Sequence, residues 1–206
     1  MTGFGRAASC AAAVLTCLAT GDAHAHAASQ ALGDFYGGLL HPLTDVVHLL
    51  PFIALGLLAG QRGSQVNSLL LIFPGALMAG AALALLIPPL PGLELLNIAS
   101  ALLFGALVAA AAPLPAAALY ALATFFGLTH GLANRTAIDA FVRPLLFIPG
   151  LGLAGLLVLA WGGQIVEYLI ARRTPWMQIA VRVAGSWIAA IALLVLGFSA
   201  RTLLAG

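Results

Sequence analysis

Lysine is absent from this chain, and charge of either sign is scarce. The positive residues are eight arginines, Asp and Glu together number six, and charged residues make up 7% of the sequence. A soluble domain carries roughly a quarter charged residues, so a water-facing globule is excluded. A formal net charge of +2 is far short of a nucleic-acid footprint, so no nucleic-acid partner is expected. Cysteine is nearly missing too: Cys10 and Cys17 lie in one apolar stretch near the N-terminus. No Walker motif, no H-E-x-x-H and no Ser/His/Asp arrangement is present. Nucleotide hydrolysis is not expected and hydrolytic enzyme readings fare poorly without them, so the chain is not expected to be an enzyme.

Apolar residues dominate. Hydrophobic residues make up 63% of the chain and mean hydropathy is +1.11, the composition of an integral membrane protein. Arg6, the apolar run "AASCAAAVLTCLAT" and the overlapping A-x-A signals in "DAHAHA" read as a signal peptide, residues 1–25, with 27 as the alternative end. Both cysteines leave with it, which removes disulfides and thiolate metal ligation from the mature chain. Cleavage after Ala25 would expose His26 as an N-terminal chelating residue, though an ordinary signal-peptide end explains it as well.

Residues 34–204 read as one transmembrane domain. Six apolar segments, at about 38–60, 66–88, 94–112, 115–134, 142–170 and 176–203, are each long enough to cross about 30 Å of hydrocarbon. "GQRGSQ", "PPLPG", "APLPA", "NRTAIDAFVRP" and "ARRTPW" supply the Gly, Pro or charge that ends each one. The expected fold is an all-α bundle of about six transmembrane helices. A signal peptide and an even span count put both mature termini on the periplasmic side of a bacterial inner membrane. Arg62, Arg172, Arg173 and Arg182 then fall in cytoplasmic loops, against Arg135, Arg143 and Arg201 on the other side, a weak positive-inside bias. "GLLAG", "GALMAG" and "GLGLAG" predict close helix packing, because lipid supplies no hydrophobic drive between helices.

The rare polar residues gather at one level of this topology. His41, Asp45 and His48 fall in the outer half of the first span, Glu94 at the outer start of the third, and His130 with Asn134 at the outer end of the fourth. Ionisable groups inside a membrane are expensive and therefore a functional hypothesis by default. At 100° per residue Asp45 and His48 lie within about 40° of His41, on one helix face. In an unbroken helix the two imidazoles would stand about 10 Å apart along the axis. A shared ion would then need ligands from another span or an irregular helix. Pro42 suits a first turn with His41 at the cap. Bland readings stand beside these: a membrane histidine often bonds helix to helix, Glu94 in a first turn favours the macrodipole, and His130 with Asn134 could bond across an interface. Arg135 and Asp139 read as a loop ion pair, and Glu167 as a partner of Arg172 and Arg173.

At these residues the chain resembles the HupE/UreJ family, membrane proteins regarded as nickel or cobalt permeases of hydrogenase and urease systems. The family carries H-P-x-x-G-x-D-H in its first span, then P-x-x-E-x-x-I-A-x-S, then H-G-x-A-H-G-x-E. "HPLTDVVH" matches at His41, Pro42 and His48; "PGLELLNIAS" at Pro91, Glu94 and Ser100, with Ile98 and Ala99 each one position later than in the pattern; "HGLAN" at His130, Gly131 and Ala133. Departures are Asp45 for glycine, Val47 for aspartate, Asn134 for the second histidine, Arg135 for glycine and Ala137 for glutamate. Position 47 lies about 240° from His41 around a helix, so the move to Asp45 brings the carboxylate onto the histidine face.

The resemblance implies a secondary permease carrying a divalent ion of the nickel or cobalt class into the cytoplasm, with no permanently bound cofactor. Candidate metal-site residues are His41, Asp45, His48, Glu94, His130 and Asn134. Expected partners are the lipid bilayer, the transition-metal ion, and either further copies of the chain or a metalloenzyme-maturation protein. Two other classes compete: a non-transporting structural or assembly subunit with a degenerate family site, and a membrane haem protein with histidines from two spans as axial ligands.

Overall fold

The computed structural model describes residues 33–63, 66–138, 142–171 and 175–205. The expected targeting segment, with both cysteines and His26, lies outside them, as do Asp139, Arg172 and Arg173. Among the described residues every regular element is helical: α1 Asp34–Thr44, α2 Val46–Gly60, α3 Val66–Ala84, α4 Leu93–Ala110, α5 Ala116–Ala133, a one-turn 3-10 helix Asn134–Thr136, α6 Pro144–Ala171 and α7 Pro175–Ala205. Helix is the form in which a single apolar segment satisfies its own backbone polar groups away from water. Helices α3 to α7 are long and apolar enough to span a membrane, and the α1–α2 pair makes a sixth span if taken together. The protein is an all-helical, multi-pass membrane bundle.

The first span departs from expectation. It starts earlier, at Asp34, and breaks at Asp45, where α1 and α2 meet at a 76° bend. Pro42 therefore sits inside α1 rather than in a first turn. Asp45 is extended, with φ −101° and ψ 115°, and it closes one helix while opening the next. Its N–H donates to the His41 carbonyl at 3.2 Å, and its own carbonyl accepts from Leu49 N at 2.8 Å. The Oδ1 atom accepts from Val47 N at 2.8 Å, an N-cap that satisfies one of the orphan donors of α2. The second segment also ends sooner than expected, at Ala84, before the proline-rich turn.

Small residues set the packing. A methyl group on Gly131 of α5 would strike the Leu77 carbonyl of α3, and one on Gly80 would strike the Leu128 carbonyl, so these two backbones touch. Gly38 and Gly150 do the same for α1 on α6, and Gly56 lies against Leu159 and Gly162 of α6. Helix α4 packs chiefly on α7 and α2. At the end of α4 away from the bend, Gln61 Nε2 donates to the Val108 carbonyl at 3.1 Å and Arg182 Nε to the Ala109 carbonyl at 2.7 Å. These side chains satisfy carbonyls that a helix end leaves without partners. Phe52, Phe73 and Phe104 are the largest fully buried side chains, and the Phe52 and Phe73 rings meet edge-on at 4.8 Å.

Candidate metal site

The break at Asp45 decides the geometry of the site. In a straight helix His41 and His48 would be two turns apart; across the 76° bend their ring centroids are 5.5 Å apart. One ligand atom each from His41, Asp45 and His48 lie within 4.8 Å of one another. Around an octahedral ion with bonds of about 2.1 Å, neighbouring ligand atoms are separated by about 3.0 Å and opposite ones by about 4.2 Å. The cluster thus needs only a small inward movement to close on an ion. Irregularity of the helix, rather than a ligand borrowed from another span, brings the two imidazoles together.

The Asp45 carboxylate divides its work. Oδ1 caps α2, while Oδ2 stands 3.7 Å from His48 Nε2. His48 is buried and His41 half-buried. Both line, with Asp45, a cavity of about 560 Å³ at this end of the bundle. Glu94 and Asn97 of α4 line the same cavity, as does Arg135. Glu94 itself is exposed, in the first turn of α4. Arg135 also donates through Nη1 to the Ile138 carbonyl at 3.2 Å.

His130 stands behind the cluster and is fully buried. Its Nδ1 lies 2.8 Å from His48 Nδ1 and its Nε2 3.0 Å from Ser100 Oγ, whose hydroxyl donates to the Asn97 carbonyl at 2.6 Å. Phe52 packs edge-on against the His130 ring at 5.3 Å. Two amides hold the end of α5: Asn134 Nδ2 donates to the His130 carbonyl at 2.7 Å and Asn97 Nδ2 to the Thr129 carbonyl at 3.4 Å. The Oδ1 atoms of Asn97 and Asn134 are buried and unpartnered among the described residues.

The structure therefore brings His41, Asp45 and His48 into contact, places Glu94 on the wall of their cavity, sets His130 directly behind His48, and turns the Asn134 amide back onto the α5 backbone. Asn97 and Ser100 were not among the candidate site residues expected from sequence, although Ser100 belongs to a family motif. A signal for them exists: Glu94, Asn97 and Ser100 recur every three residues, which keeps polar groups on one side of an otherwise apolar helix.

No curated protein and no solved structure gives a match to this chain. The model of the HupE / UreJ protein family matches residues 13–195. That span covers every motif quoted above and most of the sequence, and on it the chain belongs to the HupE/UreJ family.

Proposed function

We propose that the protein is a secondary permease carrying a divalent transition-metal ion, of the nickel or cobalt class, from the periplasmic side of a bacterial inner membrane into the cytoplasm. The observation that carries this reading is the broken first span, which gathers two imidazoles and a carboxylate within 4.8 Å. Unwound backbone beside a binding site is a recurrent device of secondary transporters, because irregular chain is tolerated at membrane depth where it lines a cavity. The donor set is nitrogen and oxygen with no sulfur, which suits borderline ions such as Ni²⁺ and Co²⁺ over Cu(I).

In this reading an ion sheds part of its water in the cavity and takes His41, His48 and Asp45 as ligands. Glu94 attracts it electrostatically from the cavity wall. The unpartnered Asn97 Oδ1 offers a further acceptor for the ion or a water it retains. His130 and Asn134 act as supports, His130 by contact with His48 and Asn134 through the α5 backbone. Both termini would face the periplasm. The haem reading asks for imidazoles on opposite faces of a macrocycle, whereas the His48 and His130 rings are in direct contact.

The test is cellular uptake of radioactive nickel and cobalt by wild type, His41→Ala and His48→Ala at matched expression. Uptake by wild type that is lost in both variants is expected. No uptake of either metal by wild type would overturn the proposal in favour of a non-transporting assembly subunit.

A further inference from the structure

The hydrogen bonds behind the cluster can be followed proton by proton from Ser100. A serine hydroxyl has one proton. The Asn97 carbonyl can only accept, so that proton is committed to it at 2.6 Å. Ser100 Oγ therefore meets His130 Nε2 as an acceptor, and the bond at 3.0 Å requires Nε2 to carry hydrogen. A neutral imidazole has one N–H, so His130 Nδ1 holds a lone pair and accepts from His48 Nδ1–H across 2.8 Å. His48 Nε2 is left with its lone pair, on the side of the ring that faces Asp45 Oδ2.

We infer that Ser100 acts as a positioning residue for the metal site, locking His48 through His130 in the one neutral tautomer whose Nε2 can ligate. Metal-bound histidines generally owe their tautomer to a partner on the other ring nitrogen. Here that partner is a second histidine, which could accept or donate and so fixes nothing by itself. The choice is set two bonds away, by a hydroxyl on α4, against the pull of Asp45 Oδ2, 3.7 Å from Nε2, toward a proton on that nitrogen. All the side chains of this relay are buried, with Ser100 and His130 fully so, and only His48 borders the cavity. Without Ser100 Oγ, a proton can sit on His130 Nδ1 and donate to His48 Nδ1, moving the His48 proton to Nε2 and blocking the ligand atom.

The inference rests on the permease reading for its purpose but not for its test. The full chain, purified without metal and labelled with ¹⁵N at histidine, is compared as wild type, Ser100→Ala and Ser100→Thr, with signals assigned by single substitutions. Wild type and Ser100→Thr should show His48 protonated at Nδ1, and Ser100→Ala a shift toward Nε2. Nickel titration of the same samples should give an affinity about 10- to 100-fold weaker for Ser100→Ala, restored by Ser100→Thr. An unchanged His48 tautomer in Ser100→Ala would overturn the inference, even if affinity fell, because the loss would then be merely structural. A tautomer that moves in a protein to which nickel does not bind would support the relay while counting against the permease.

Discussion

Asp45 has two functions that substitution can separate. Asp45→Asn keeps a side-chain oxygen for the Val47 amide, since Asn caps as well as Asp, but removes the negative charge. Asp45→Ala removes both. Loss of the cap should destabilise α2 by about 1 kcal/mol, within the range of about 0.5–2 measured for such changes. Loss of the charge acts on the ion. A divalent ion and a carboxylate 4 Å apart attract by about 8 kcal/mol at an effective dielectric constant of 20. The Asp45 side chain is 31% exposed, so solvent screens much of that. A ten- to hundredfold loss of metal affinity, about 1.4–2.7 kcal/mol, is the reasonable expectation for both variants. Calorimetric titration with nickel or cobalt gives the affinity, and thermal unfolding in detergent gives the stability. Asp45→Asn should weaken binding at near-normal stability, whereas Asp45→Ala should do both. If Asp45→Asn binds as tightly as wild type while Asp45→Ala does not, the carboxylate is a helix cap and nothing more.

Removal of the His130 ring in His130→Ala leaves the buried His48 Nδ1 unpartnered, at about 1–3 kcal/mol, and should lower both stability and nickel affinity; unaltered affinity would remove His130 from the site. Gly131→Ala forces α5 away from the α3 backbone it touches, so a stability loss of about 1–3 kcal/mol is expected, read by thermal unfolding, and a neutral result would mean that the contact is loose. Restoring the family's second histidine by Asn134→His should not tighten nickel binding, because the side chain at this position folds back to the His130 carbonyl rather than lining the cavity; a tighter titration would refute that.

Much of this was legible in the chain. Apolar run length and Gly/Pro punctuation give the helices, and the cluster of polar residues at one level anticipates the cavity that His41, Asp45, His48 and Glu94 line. The break at Asp45 was not legible: "HPLTDVVH" fits a continuous helix, and nothing in its periodicity marks one residue as extended. The two imidazoles were accordingly placed two turns apart. A clue did lie in Asp45 itself, a residue that favours caps over helix interiors because its short carboxylate competes for nearby backbone N–H groups. The role of His130 was only half visible, since contact between rings on different helices depends on helix order around the bundle. Asn97 and Ser100 were not taken as site residues, Ser100 being named only for its place in a family motif, because their roles depend on which helix faces α4; in hydrocarbon an amide and a hydroxyl require partners.

The chain of contacts from His48 through His130 to Ser100 joins α2, α5 and α4 at a single level. To part these helices would strand hydrogen-bonding groups where no water can reach them, at about 1–3 kcal/mol for each one left unsatisfied. Neighbouring glycine contacts give closeness without such a penalty, since they are held by shape alone. At this end of the bundle α4 and α5 are therefore tied to α2, the half of the bent first span that carries His48.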